Sequence, residues 1–403
     1  MTYFRRRPGP RFARQCMTVA ALLSAVSIAQ YGTFAPIAHA AETLPEGAVC
    51  TVSQTLPADP VLADAQKIVN HAAGVSSTWD GPKSSFPAPK DIRIVYIASN
   101  ANNPGDIGVY DGLKEAAGAL GWDIKMIDGQ NSPSTNLDAL SQAIALSPKA
   151  IVVSSYEPKS AGQLFDEAKA AGIVVVGNHT GEASGFQPKY PGLFTNISSD
   201  PVEIAKVAAS CALVASKGTA AISLVSCGDQ FALCRIKEDA MGDVIKKSSK
   251  AAILAINNFP FEEIQQRMGA VAVADYQKLG SKLTYMLSIN DLYWDAAIPA
   301  LSAVGVEPDG VPYMIAAGDG SPAAFDRIRN HENQIATVAE PLQAHGWQIA
   351  DEIVRALNGK EPSNFVSYPH LVTAENVGLE GGDKGIYDPG NSYRDEYKKM
   401  WGR

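Results

Sequence analysis

The residues able to do chemistry in this chain fall into short polar stretches, each following an apolar, β-branched run. In order these are Ser-Asn-Ala-Asn-Asn-Pro-Gly-Asp at 99–106, Ser154 to Glu157, Asn178-His179, Asp229 to Arg235, Asn257 to Phe261, Asn290-Asp291, Asp319 and Glu340. One or two would be ordinary helix caps; eight in succession are harder to explain by capping alone. Carboxylates, amides, hydroxyls and a guanidinium in such a set suit a small polar molecule held by hydrogen bonds. His179 is open to three readings, a neutral donor to ligand, a cap, or a pH-sensitive contact, with ligand contact ranked first. Asp106, Asp319 and Glu340 facing Arg235 would also give an acidic pocket suited to a cationic or amine-bearing ligand. Catalytic motifs are missing: there is no Gly-x-Ser-x-Gly elbow, His-Glu-x-x-His helix, Walker loop, or Gly-x-Gly-x-x-Gly after the first strand. No enzyme and no cofactor are expected.

The elements that must position these residues follow from the apolar periodicity. Ile92 to Ala98 reads as a buried strand that stops in the polar mouth Ser99 to Pro104, and Val109, Leu113, Ala116, Ala117 and Leu120 then repeat at helical spacing. Strands at 92–98, 123–127, 150–155 and 173–177 alternate with helices at 108–120, 134–146 and 160–171. After Asn196-Ile197-Ser198-Ser199-Asp200-Pro201 the pattern restarts, with Asp200 as a cap, Pro201 at the first helical position, and strands near 219–226, 251–256, 283–289, 312–317 and 334–339. Alternating strands and helices imply parallel sheets covered on both faces, and the repetition implies two similar lobes. In such sheets ligands sit beyond the carboxyl ends of the strands, so two facing rims enclose a cleft.

The first forty residues read as an address. Arg5, Arg6, Arg7, Arg11 and Arg14 precede an apolar stretch from Met17 to Ala29 and then Ala38-His39-Ala40, so cleavage after Ala40 and export to the periplasm are expected. Without that segment, 29 basic residues face 42 acidic ones, a net charge of −13 against −8 for the whole chain. Nucleic acid and anionic membranes are disfavoured partners for such a surface. Residues 41–90 hold one helix, Val61 to Ala73, and a Pro/Gly/Ser-rich linker. Of the cysteines left after processing, Cys227 and Cys234 close a short loop and are the expected disulfide, with zinc as the rival; Cys50 with Cys211 follows only by elimination.

With Ser-Asn-Ala-Asn-Asn-Pro at 99–104, Ile-Asp-Gly-Gln-Asn at 127–131, Ile-Ser-Ser-Asp at 197–200, Asn-Asp at 290–291, Gly-Asp-Gly at 318–320 and Ala-Thr-Val-Ala-Glu-Pro at 336–341, the chain resembles the ribose-binding-protein-like type I periplasmic solute-binding proteins of sugar importers. The resemblance covers roughly residues 91–378 and implies an α/β fold of two doubly wound parallel-sheet lobes joined by a three-crossing hinge near Ser198, Glu340 and Pro369. Lobe 1 would comprise 91–198 plus 341–369; lobe 2 would comprise 199–340 plus 370–403, the latter including the carboxyl tail. It implies ligand contacts at Ser99 and Asn103 from one lobe and at Asn290, Asp319 and Arg235 from the other. Asp106, Asn178, His179, Phe261 and Glu340 complete the expected set. Gly105-Asp106 stands where many sugar binders carry aromatic residues, and Asn178-His179 stands where Asp-Arg is common, so the ligand is not expected to be ribose. Tyr156, Phe259, Phe261, Tyr293 and Trp294 are the candidate compensating rings. The implied function is capture of a sugar or polyol by a monomer that delivers it to the membrane permease of an ATP-binding cassette importer. Alternatives are a sensor that presents the solute to a chemoreceptor or histidine kinase, and the same scaffold holding a cationic or nucleoside-like ligand. A repressor of the same fold is disfavoured by the export signal and the lack of a helix-turn-helix.

Overall fold

The computed structural model describes residues 44–403 apart from Ser85. The export segment and its cleavage after Ala40 lie outside the described residues. Xaa-Pro steps set most helix starts. In α1 (Pro60–Ala72) the Asp59 carboxylate accepts from the Val61 and Leu62 amides while Pro60 supplies a fixed φ in the first turn. The chain then runs β1 (Arg93–Ala98), α2 (Pro104–Leu120), β2 (Asp123–Asp128), α3 (Pro133–Ala145), β3 (Ala150–Ser154), α4 (Pro158–Ala170), β4 (Val174–Asn178) and β5 (Thr195–Ile197). After α5 (Pro201–Ala215) come β6 (Ala221–Ser226), α6 (Ala232–Ile245), β7 (Ala252–Asn258), α7 (Ile264–Leu279), β8 (Tyr285–Ser288), α8 (Leu292–Ala303), β9 (Tyr313–Ala316), α9 (Pro322–Asn330) and β10 (Gln334–Ala339). Next come α10 (Leu342–Leu357), β11 (His370–Thr373) and α11 (Tyr393–Trp401). Asn103, Ser132, Glu157, Asp200 and Ser321 cap α2, α3, α4, α5 and α9 by side-chain acceptance, each followed by proline.

Two sheets result, as the alternation implied. The first has order β2-β1-β3-β4-β5 and is parallel throughout; the second has order β11-β10-β9-β8-β6-β7. β11 is antiparallel to β10 and occupies an edge, the position where mixed sheets carry such a strand. The register pairs Ala98 with Ser154 and Ser154 with Asn178, which lines up the carboxyl ends of β1, β3 and β4 at one rim.

Three chain segments pass between the sheets as expected, after β5, after β10 and before β11. Two additional segments also span the lobes. Ala65, Val69 and Ala72 of α1 join the core of the second lobe, while Trp79 and Phe86 pack on the core of the first. At the other end of the chain β11 belongs to the second sheet, but Tyr393, Tyr397, Met400 and Trp401 join Trp347 in the first lobe's core. The assignment of all of 370–403 to lobe 2 is therefore corrected: apolar side chains of the tail find their burial on α10, where the Trp347 and Trp401 rings stack at 5.4 Å. Between these straps and the crossings lies a cavity of about 290 Å³ lined by His71, Trp79, His345, Tyr368, His370 and Tyr387 among others.

Glycines let α2 and α10 approach closely. A Cβ on Gly112 would stand 2.2 Å from the Gln343 carbonyl oxygen, and one on Gly346 2.2 Å from the Leu113 amide nitrogen. Both clashes are with backbone, which cannot swing aside. Gly112→Ala and Gly346→Ala are each expected to destabilise the fold by about 1–3 kcal/mol, read as a lower denaturant midpoint. An unchanged midpoint in either would refute the close crossing.

Cys227 and Cys234 are disulfide-bonded, whereas Cys50 and Cys211 are buried thiols. Elimination thus misassigned the second pair, although burial and the neighbouring Cys50 push the Cys211 thiol up. In denaturant without reductant, alkylation is expected to label Cys50 and Cys211 and to spare Cys227 and Cys234. Labelling at either of the latter would contradict the bridge.

Candidate functional site

The two rims meet around a cavity lined by Ser99, Asn103, Ser155, Tyr156, Glu157, His179 and Gly181 from the first lobe. Phe231, Leu233, Cys234, Lys237, Phe261, Ile289, Asn290 and Asp319 line it from the second. Its volume is about 60 Å³. At roughly 10–15 Å³ per water on this measure, that is room for about four to six waters, so it fits one compact solute and no oligomer.

On the first lobe, Ser99 and Asn103 flank the mouth of β1. Asn136 Nδ2 donates to Ser99 Oγ at 2.9 Å, and Asn103 Oδ1 accepts from the Gly105 amide at 3.1 Å. Both side chains are thereby oriented before any ligand arrives. The helix after this mouth begins at Pro104, four residues earlier than the apolar spacing suggested, because Asn103 caps it. Asp106 consequently lies in the first turn and points inward. Its carboxylate accepts from Ser154 Oγ and Ser155 Oγ at 2.7 Å each and from the Asn100 amide at 3.1 Å. Burial raises its pKa, against the hydrogen bonds that lower it. Asn178 is likewise behind the wall, accepting from Ser154 Oγ and donating to the Ile197 carbonyl. Asp106 and Asn178, both expected as ligand contacts, do not line the cavity, and their hydrogen bonds hold the rim together.

On the second lobe, Asp291 builds the base. Its Oδ2 accepts from the Gly320 and Ser321 amides at 2.8 and 3.0 Å. Because Ser321 caps α9, Asp319 is not needed as a cap. The Asp319 carboxyl is 8% exposed, and burial pushes its pKa up to about 6 against the nearby His179 and Lys237. Gly105 explains the missing aromatic residue opposite, since a Cβ there would come within 2.6 Å of Asp319 Oδ2. Glycine at this place lets the carboxylate approach the N-terminus of α2, where helical amides favour negative charge.

Arg235 does not reach the cavity. It donates to Asp229 at 2.6 Å and Glu238 at 2.5 Å. The buried face of α6 carries Cys234, Lys237, Glu238 and Met241, and position 235 is rotated off it. Lys237 takes its place on the wall, held by the Ala317 and Ile289 carbonyls at 2.7 and 3.3 Å. Of the candidate rings, Tyr156 and Phe261 line the cavity, joined by Phe231, which was not among them; Phe259, Tyr293 and Trp294 belong to the second lobe's core. Phe231 sits inside the loop that the disulfide closes, a constraint worth about 2–3 kcal/mol in the chain-entropy picture.

Glu157 and His179 each make a contact from the first lobe to the second. Glu157 caps its own helix through Lys159 N and also accepts from the Ala232 amide at 3.3 Å, supplying the side-chain cap that α6 lacks. His179 Nε2 is 3.1 Å from Glu340 Oε2, which also accepts from the Ser199 amide at 2.9 Å. Burial pushes His179 down, but the charge and hydrogen bond of Glu340, with Asp319 beyond, leave its pKa raised. Burial likewise opposes ionisation of Glu340, yet His179, Lys237 and His345 hold it well below the usual carboxylate range. Glu340, expected as a ligand contact, is off the cavity wall and joins His179 to the crossing segment at Ser199.

Two α/β lobes with parallel sheets and a cleft at their facing carboxyl rims define the type I periplasmic binding protein fold. The sequence pattern described as "Periplasmic binding protein domain" matches residues 94–361, and the chain belongs to that family. It is 22% identical over 266 residues to the ribose import binding protein of Escherichia coli (strain K12), a match covering 65% of this chain and 84% of that one. A glucose-galactose binding protein from Geobacillus stearothermophilus superposes with a TM-score of 0.63 at 17% identity, covering 72% of this chain and all of that one. A solute-binding protein of an ABC transporter from Agrobacterium vitis, bound with α-D-tagatopyranose, does so with a TM-score of 0.65 at 16% identity, covering 74% and 99%. No helix among the described residues is long and apolar enough to cross a membrane.

Proposed function

We propose that the chain is an exported receptor for one sugar or polyol of monosaccharide size, which it encloses between its lobes and presents to the permease of an ATP-binding cassette importer. The observation that carries this is the pairing of the Asp319 carboxylate with Ser99 and Asn103 across a small cavity walled by Tyr156, Phe231 and Phe261. Among the described residues nothing donates to that carboxylate, so it can accept a pair of solute hydroxyls; Asn103 and Asn290 serve ring and hydroxyl oxygens, and the rings cover C–H faces. A neutral solute is favoured over an amine. Asp106 and Glu340 are withdrawn from the wall, and the carboxylates remaining there, Asp319 and Glu157, are matched by Lys237 and His179. The sugars and sugar transporters named among the relatives support the same class.

A melting-temperature screen with pentoses, hexoses, polyols, amines and nucleosides tests the reading, because a ligand that binds only the folded state stabilises it. A rise with one monosaccharide or polyol, confirmed by calorimetry at one site per chain, is expected. A response confined to amines or nucleosides would replace the ligand class. Vesicles carrying the cognate permease should take up that solute only when the protein is present; stimulation of a sensor kinase without uptake would select the signalling role instead.

A further inference from the structure

At the base of the cleft three side chains hold donors that the fold leaves partly unused. His179 follows β4, Glu340 stands between β10 and α10, and His345 lies in the first turn of α10. One ligating atom of each is within 4.8 Å of the other two. The His179 Nε2 to Glu340 Oε2 separation of 3.1 Å is near the roughly 3.3 Å that separates two ligands on a tetrahedral zinc with bonds of about 2.0–2.1 Å. The third ligand needs an inward shift on the order of 1 Å.

A second, independent observation is that, among the described residues, Glu340 Oε1 and His345 Nδ1 are buried without a hydrogen-bond partner, in residues only 1% exposed. Buried polar atoms are nearly always paired, so two orphans in one cluster call for an occupant. His345 is already oriented as a metal ligand would be: its other nitrogen is 2.7 Å from Ser367 Oγ, a contact that fixes the ring and frees Nδ1. Lys237, the nearest cation, is turned to the Ala317 and Ile289 carbonyls rather than to the cluster. Two imidazoles and one carboxylate form a borderline donor set that suits zinc and is poor for calcium or magnesium.

We propose that His179, Glu340 and His345 form a zinc site at the hinge, with three protein ligands and one position left for water. The site joins the end of β4 to the segment that crosses between the lobes, so the ion fixes the crossing against the first lobe. It stands whether or not the cleft takes a sugar.

Tag-free full-length protein is stripped with a chelator and titrated with zinc against a chromophoric competitor, without any solute. One zinc per chain is expected, and cobalt in its place should give the strong visible bands of a tetrahedral site. His345→Ala should weaken zinc roughly 100-fold or more while leaving solute affinity in place, because His345 is not on the cleft wall; His331→Ala, an exposed control, should change neither. No stoichiometric zinc at micromolar concentration, or equal affinity in His345→Ala, overturns the site. Should His345→Ala misfold, anomalous scattering at the zinc edge from wild-type crystals decides: a peak among the three side chains supports the site, and a peak elsewhere or none overturns it. Zinc binding without a sugar response would refute the solute reading and leave this one standing.

Discussion

Asp319→Asn and Asp319→Ala are expected to weaken solute binding by roughly 10- to 150-fold, the value of about 1.5–3 kcal/mol for hydrogen bonds to a charged group. No other acceptor on the wall combines charge, burial and free capacity. The pH response has a definite sign. Burial, opposed by His179 and Lys237, puts the carboxyl at about 6 instead of 3.8. Accepting two hydroxyls needs the ionised form, so affinity should rise as pH passes through about 6 and level off beyond it, while Asp319→Asn should show no such step. Folding responds the other way. A carboxyl raised on folding contributes stability below its ordinary 3.8 that is lost as pH rises through about 6. Calorimetry across this range, with chelator present, checks both; wild-type affinity in Asp319→Ala would remove the residue from the site.

Glu340→Ala should cost about 3 kcal/mol of folding stability, the largest such effect expected of a single polar substitution here. The loss strips a partner from buried His179 and leaves the Ser199 amide without its acceptor. Glu340→Gln keeps an acceptor for that amide and should cost about 1 kcal/mol. In metal-free buffer the pair's contribution has a window. His179's share, from a raised pKa, is complete below its ordinary 6.5 and fades as pH rises through the raised value; Glu340's share, from a lowered one, is complete above 4.5 and fades as pH falls through the lowered value. The deficit of Glu340→Ala should therefore be greatest between those two. Denaturant midpoints matching wild type across that interval would show that the pair is not formed.

The fold was readable because buried parallel strands are short, continuous apolar runs, and most boundaries from periodicity fall within a few residues of the observed ones. β5 and β11 escaped because strands of three and four residues carry too little of a period to read. The largest boundary error, at α2, had a local cure in Asn103-Pro104, a cap and a first-turn proline side by side. Within the site, residues on loops were easier to place than residues on helices. Arg235 was chosen by matching a motif along the chain, although the 3.6-residue period of α6 singles out Lys237 as the inward cation. Glu157 was legible as part of a polar rim but not as an interlobe contact, because its partner there, Ala232, is 75 residues away. Asp106 and Asn178 have the right chemistry at the right end of the strands; only the three-dimensional arrangement of Ser154 and Ser155 reveals that their hydrogen bonds are already committed.

The cavity behind the crossings has a mechanical consequence. When the two rims part at the front, the surfaces behind the crossings must approach one another, and here that side is bridged by the two straps and lined with Trp79, Phe365, Tyr387 and Tyr397. Close-packed matter in that position would jam, because protein interiors barely compress. The cavity of about 290 Å³ keeps that space open, so a parting of the rims would meet room there and not packed side chains. The lobes are thus bound together at five places, three crossings and two straps, with no packed core behind the crossings to resist a change in their angle.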